Sequence, residues 1–178
     1  MLCGIDEAGR GPLAGPMVVA GVVLTNPIEG LNDSKKLSEK KREKLFEEII
    51  TNSSYHIVFT DAKTLDTLGL SLCLKNSITE IMQNVSASEY LMDGNTSFGI
   101  EELRHEIKAD ANYAEVSAAS ILAKVSRDRY MIEISSKYPN YQFEKHKGYG
   151  TKIHIEMMKE FGRSEEHRYS FKTKGIDY

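Results

Sequence analysis

The segment Met17-Val18-Val19-Ala20-Gly21-Val22-Val23-Leu24 constrains this chain more than any other. Eight consecutive residues carry no charge and four of them are valine. The run is too short for a membrane span and shows no helical period. It reads as a central strand covered on both faces, so the chain must supply a layer on each side of a sheet. Just before it, residues 9–16 (Gly-Arg-Gly-Pro-Leu-Ala-Gly-Pro) are too rich in glycine and proline for regular structure. Met1–Ile5 reads as a second strand, and Tyr55–Thr60 as a third.

The covering helices are visible as periodic stripes. Leu37, Lys41, Leu45 and Ile49, widened by Phe46 and Ile50, mark an amphipathic helix with Ser38 as N-cap and a basic outer face. Leu74, Ile78, Ile81, Met82 and Val85 mark a core-facing helix. Val116–Ser135 is a long one whose small residues permit close approach to a sheet. A last helix is capped by Thr151, carries Ile153, Met157 and Phe161 as its stripe, and ends at Gly162. Glu89–Met92 is a short strand running into Asp93-Gly94, and His105–Ala109 reads as another strand. The pattern predicts an α/β or mixed α+β sheet covered by helices, and the 178 residues have room for one domain.

Composition narrows the setting. Charged residues make up 28% and the net charge is −3, which by itself speaks against a nucleic-acid binder. The distribution says otherwise. Between Leu31 and Lys44 six cations face three acids, and between Lys137 and Lys174 nine face five, so the acids concentrate elsewhere. Basic stretches beside an acidic pocket suit a polyanion held through metal ions, although solvated helix faces would look the same. Two cysteines, Cys3 and Cys73, fit a reduced, cytoplasmic setting. Asp6, Glu7 and Arg10 interrupt any leader-like apolar run, and no segment is long enough to cross a membrane.

Several expected strands end in acids: Ile5 runs into Asp6-Glu7, Met92 into Asp93, and Ala109 into Asp110. Acids at the ends of neighbouring strands converge on one rim of a sheet, where open sheets place their sites. A single such Asp equally serves as a turn or cap residue. Several together would repel and raise one another's pKa, a conflict that a hard divalent cation resolves. Asp6 and Glu7 are adjacent and point to opposite faces of a strand, so both reach one spot only if the strand breaks at Gly9. Such a pair could hold two nearby ions, with Asp6 better placed to bridge them and a phosphodiester as the group attacked. No Gly-x-Ser-x-Gly elbow and no cysteine nucleophile motif occurs, which disfavours covalent catalysis.

These residues belong to longer blocks. Gly4-Ile5-Asp6-Glu7-Ala8-Gly9-Arg10-Gly11-Pro12-Leu13-Ala14-Gly15-Pro16 resembles the N-terminal signature of type 2 ribonucleases H. The likeness continues through residues 33–37 (Asp-Ser-Lys-Lys-Leu), Asp93-Gly94, Asp110, residues 117–128 (Ser-Ala-Ala-Ser-Ile-Leu-Ala-Lys-Val-Ser-Arg-Asp), 145–151 (Lys-His-Lys-Gly-Tyr-Gly-Thr) and 167–171 (His-Arg-Tyr-Ser-Phe). The resemblance implies an α/β, ribonuclease H-like fold, a mixed β-sheet flanked by helices in a single domain, 1–178, with residues 137–178 forming a helical part that helps clamp the substrate. It implies endonucleolytic hydrolysis of RNA in RNA–DNA hybrids and incision 5′ of ribonucleotides embedded in duplex DNA, leaving 3′-hydroxyl and 5′-phosphate ends. Asp6, Glu7, Asp93 and Asp110 match the family's catalytic acids, which bind two Mn2+ or Mg2+ ions.

The resemblance also assigns Gly9, Arg10 and Gly11 to sensing the ribose 2′-hydroxyl, and Tyr149 to reading the junction nucleotide. Glycine at those loop positions lets the backbone approach a sugar. Tyr149 by its chemistry alone could as well be a core aromatic. Asn32, Lys35, Lys36 and Lys147 are expected phosphate contacts, with solvated surface as the competing reading. The expected partners are RNA–DNA hybrid and ribonucleotide-containing duplex, with no membrane, for a monomer. Two rivals stand beside this: a binding module on the same fold without catalysis, and a different metal-dependent phosphodiesterase.

Overall fold

The computed structural model describes residues 1–31 and 36–178. A five-stranded mixed sheet has the order β3-β2-β1-β4-β5. Its strands are β1 (Leu2–Ala8), β2 (Met17–Leu24), β3 (Ser53–Thr60), β4 (Glu89–Asp93) and β5 (Leu103–Glu106). The first three form an antiparallel meander, while β1, β4 and β5 run parallel. Among the described residues the helices are α1 (Glu39–Thr51), α2 (Ala62–Leu68), α3 (Leu70–Asn84), α4 (Ala109–Asn112), α5 (Ala114–Ser135), α6 (Phe143–His146) and α7 (Lys152–Phe161), with a 3-10 turn at Pro139–Tyr141.

The two-sided burial expected of residues 17–24 is present in β2. Met17, Val19 and Val23 enter one core with Cys3, Ile5 and the α2–α3 residues Leu65, Leu74, Ile78 and Ile81. Val18, Ala20 and Val22 enter the opposite core with Leu45, Phe46 and Ile49 of α1 and Ala118, Ile121 and Leu122 of α5. Alternation along one strand thus feeds two layers. Burial in the first core also pushes the Cys3 thiol up to about 12, leaving it inert.

Helix α5 is the spine of the second layer. It lies so close to β1 that a Cβ at Gly4 would stand 2.3 Å from Glu115 C and Val116 N, so only glycine fits. Side chains on nearly all sides of α5 are buried, as expected of a helix sandwiched between the sheet, α1 and the C-terminal segment.

Several sequence expectations are corrected. β1 runs to Ala8 instead of stopping at Ile5, and ends where Gly9 takes φ +87°. The strand expected at His105–Ala109 lies earlier: β5 covers Leu103–Glu106, and Lys108 at φ +60° turns the chain into the short α4. Asp110 therefore sits in a helical turn. The stripe of α7 is shifted by one residue, because His154 and Met158 are buried while Ile153 and Phe161 are exposed. The apolar pattern misled there because the inward position is held by a polar ring with hydrogen-bond partners inside. Ser38 and Thr151 do cap α1 and α7, accepting from Lys41 N–H and His154 N–H.

Candidate active site

β1 and β4 are parallel neighbours, with Ile5 opposite Met92. One step further, Asp6 and Asp93 stand beside each other. Asp6 has the same parity as Gly4, which touches α5, and Asp93 the same parity as Leu91, which packs with Ala109 and Val116. Both carboxylates therefore project on the α5 side of the sheet. The turn at Lys108 brings α4 across the end of β4, where Ala109 N–H donates to Asp93 Oδ1 at 3.3 Å. Asp110 is delivered to the same place. Asp6, Asp93 and Asp110 each offer an oxygen within 4.8 Å of the others, and Asp6 and Asp110 are buried.

Crowding of acids has the expected electrostatic consequence. Burial, and after it the neighbouring Glu7 carboxylate, hold the Asp6 carboxyl well above its usual range, against the opposing effect of the Glu7 N–H that donates to Asp6 Oδ1 at 2.8 Å. Burial raises Glu7 as well, partly offset by Arg10, whose Nη1 lies 3.3 Å from Glu7 Oε1. The other oxygen, Glu7 Oε2, is buried without a hydrogen-bond partner among the described residues. An all-oxygen donor set of this kind suits a hard divalent cation, which would relieve both the repulsion and the desolvation.

Beside the acids lies a cleft of about 430 Å3, lined by Glu7, Ala8, Gly9, Arg10, Gly11, Arg42, Ser120, Ile121, Lys124 and Tyr149. It thus gathers Glu7, the Gly9-Arg10-Gly11 loop and Tyr149, a residue that is 42% exposed. Lys36 lies elsewhere, in a cavity of about 670 Å3 shared with Lys41 and Lys44. The Lys147 ammonium turns to the Glu144 carbonyl. Asn32 and Lys35 fall outside the described residues.

The loop is braced from below by two arginines that the sequence reading left unassigned. Arg168 donates to the carbonyls of Gly9 (2.6 Å), Arg10 (3.0 Å) and Gly15 (3.0 Å). Arg127 donates to Ala14 (2.9 Å), Pro16 (2.8 Å) and Lys147 (2.7 Å), and its guanidinium sits 5.5 Å from the Tyr149 ring centroid. Both are 1% exposed, and burial lowers the pKa of each, Arg168 to about 9. A signal for Arg127 existed: Ala119, Ala123, Arg127 and Met131 share one four-residue period, and all four are buried. Arg42, Ser120 and Lys124 of the cleft were likewise unassigned; the last two lie inside the 117–128 block.

A family model described as Ribonuclease HII matches residues 3–174. The chain belongs to the ribonuclease HII family. It is 69% identical to the ribonuclease HII of Aliarcobacter butzleri, over 98% of this chain and 92% of that one. With its counterpart from Sulfurovum sp. it shares 56% identity over 99% and 94%. Among solved structures, the ribonuclease HII of Archaeoglobus fulgidus, determined in complex with PCNA, superposes with a TM-score of 0.85 at 30% identity, covering 98% of this chain and 96% of that one. As a ribonuclease HII, the chain is a ribonuclease H, a metal-dependent hydrolase with endonuclease activity, on the expected ribonuclease H-like mixed sheet. Among the described residues no helix is long and apolar enough to cross a membrane.

Proposed function

We propose that this ribonuclease HII cleaves RNA in RNA–DNA hybrids and also incises duplex DNA on the 5′ side of embedded ribonucleotides, leaving 3′-hydroxyl and 5′-phosphate ends. Asp6, Glu7, Asp93 and Asp110 hold two divalent ions, Mg2+ or Mn2+. The observation that carries this reading is the meeting of three carboxylates within 4.8 Å beside a cleft that contains a glycine loop and an exposed tyrosine. Bound there, the ions supply an activated water and neutralise charge at the scissile phosphate.

The protein's own groups do the rest. Gly9, Arg10 and Gly11 bring backbone to the ribose, and the inward pull of Arg168 on the Gly9 and Arg10 carbonyls fixes that approach. Tyr149 reads the junction nucleotide by a hydroxyl contact and by stacking against its sugar. Arg42 and Lys124 face the cleft and take adjacent phosphates, with Lys36 contacting the strand further out, while Lys147 in the free protein directs its ammonium to the Glu144 carbonyl. Residues 137–178 act as the clamp: His167 forms an isolated bridge with Ala14, and Arg168 reaches the glycine loop, tying this segment to the cleft. The enzyme works as a cytoplasmic monomer in ribonucleotide excision repair, a setting consistent with two free, buried thiols.

The test compares an all-DNA duplex, a long hybrid and a duplex carrying one ribonucleotide, each with Mg2+, Mn2+ or EDTA. The reading requires metal-dependent incision 5′ of the single ribonucleotide and none in all-DNA. Cleavage of the hybrid alone overturns the embedded-ribonucleotide part, and cleavage of all-DNA overturns the sugar-reading role of the loop.

A further inference from the structure

The backbone leading to Tyr149 is held at three successive carbonyls. Lys147 C=O accepts from Arg127 (2.7 Å), and Gly148 C=O from Leu13 N–H (2.8 Å). Tyr149 C=O accepts from Thr151 N–H (2.8 Å) and faces His154 Nδ1 (2.8 Å). Gly148 has φ +90°, and a Cβ there would stand 2.2 Å from the Ala14 carbonyl oxygen, so the loop is closely seated as well as tied.

Behind it runs a file of three imidazoles that the cleavage chemistry does not use. His146 and His154 stack with centroids 4.2 Å apart and planes 11° from parallel. His154 Nε2 is 2.9 Å from His167 Nε2, in a buried contact. Fixed donors determine the tautomers. Ser164 N–H donates to His167 Nδ1 (2.9 Å) and Gly148 N–H to His146 Nδ1 (3.0 Å), so those nitrogens carry lone pairs. The His167 proton is then on Nε2 and is donated to His154 Nε2. That leaves the His154 proton on Nδ1, directed at the Tyr149 carbonyl. His146 correspondingly donates from Nε2 to Tyr141 C=O (2.6 Å). All three rings are neutral; burial pulls His154 down to about 4 and His167 to about 3, in agreement with the hydrogen-bond directions.

We propose that His154, backed by His167, is a positioning residue for Tyr149. The directional chain from Ser164 through both imidazoles sets the Tyr149 carbonyl and thereby the placement of its ring over the cleft. The inference rests on the reading of Tyr149 given above only for its effect on cleavage; the placement itself can be measured separately.

His154→Phe keeps the ring stack on His146 but removes the donor, whereas His154→Asn keeps an N–H close to the Nδ1 position. On the single-ribonucleotide duplex, His154→Phe lowers kcat about tenfold with little change in KM, as a small misplacement of a reading group does. His154→Asn recovers most of the loss. In a Tyr149→Ala background His154→Phe has no further effect; an equal loss in both backgrounds overturns the proposal. Independently, 19F NMR of 3-fluorotyrosine-labelled protein follows the ring, with the Tyr149 signal assigned by its disappearance in Tyr149→Phe. The signal should shift or broaden in His154→Phe and return in His154→Asn. An unmoved signal in His154→Phe refutes the relay, whereas a moved signal with unaltered cleavage in Tyr149→Ala sinks only the reading of the tyrosine. If His154→Phe does not fold, His167→Phe against His167→Gln, whose amide N–H replaces Nε2–H, makes the same comparison.

Discussion

Two kinds of buried charge stand within one end of this molecule, and they are handled in opposite ways. Arg127 and Arg168 are fully enclosed, yet each guanidinium spends three N–H groups on main-chain carbonyls. Asp6, Asp93 and Asp110 are gathered so that like charges face one another, and burial holds Asp6 far from its ordinary ionisation. Satisfied buried charges are scaffold. Crowded carboxylates suit a site where a cation or a reaction offsets the repulsion, which supports the proposed division of chemistry at the acids and shaping of the cleft at the arginines.

This contrast is broken first by neutralising one member of each set. Asp93→Asn should lower cleavage of a single-ribonucleotide duplex by on the order of 1,000-fold or more, because a metal ligand is lost, while the thermal midpoint holds or rises as repulsion is relieved. A large drop in stability would mean that the acids are structural. Arg168→Met should do the reverse. It strands three carbonyls and is expected to lose roughly 3–5 kcal/mol of stability by denaturant titration, with catalysis impaired through the displaced loop. Mg2+ or Mn2+ at about 100 times its dissociation constant should stabilise the native chain by ~2.7 kcal/mol, and Asp93→Asn by much less. Equal stabilisation of both proteins would put the ions elsewhere.

The histidine file adds a neutral buried set to the comparison. His154 and His167 have folded pKa values depressed to about 4 and about 3, so the unfolded chain takes up protons first as pH falls below the ordinary histidine value. Stability contributed by the neutral rings is present above about pH 6.5 and is lost as pH falls towards 4, by ~3 kcal/mol for each ring. Urea titrations at pH 7.5 and pH 4.5 measure it. In His154→Phe the loss should shrink.

How much of this was legible in the sequence depended on which physical signal a residue carries. The two-faced burial of β2 was plain from its valines, and the convergence of Asp6 and Asp93 followed from strand ends. Asp110 was found for a wrong local reason, since the left-handed turn at Lys108 is made by a residue with no special sequence signal. The arginine braces and the imidazole file were hidden by the rule that charged and polar residues face water. The braces become legible only when the guanidinium donors are matched with carbonyls more than a hundred residues away, as for Arg127 with Pro16 and Arg168 with Gly9, and the histidine file only when its rings are matched with each other and with the Tyr149 carbonyl. Hydrophobic periodicity carries no information about such pairs.

The smallest expected effects separate cations that face the cleft from one that has turned away. Arg42 and Lys124 line it, although Arg42 also donates to Leu37 C=O (2.7 Å) and Lys124 pairs with Asp128 (3.1 Å). Lys147 instead directs its ammonium to the Glu144 carbonyl. A lysine or arginine on a phosphate releases about one counterion, so Arg42→Ala or Lys124→Ala should each lower the slope of log K against log[salt] by about 1 for an uncleaved hybrid held in EDTA. Lys147→Ala should leave that slope within error of the native value if its side chain stays where it lies in the free protein. A reduction equal to that of Arg42→Ala would show that substrate draws Lys147 back to the backbone, restoring the phosphate contact that the sequence alone suggested.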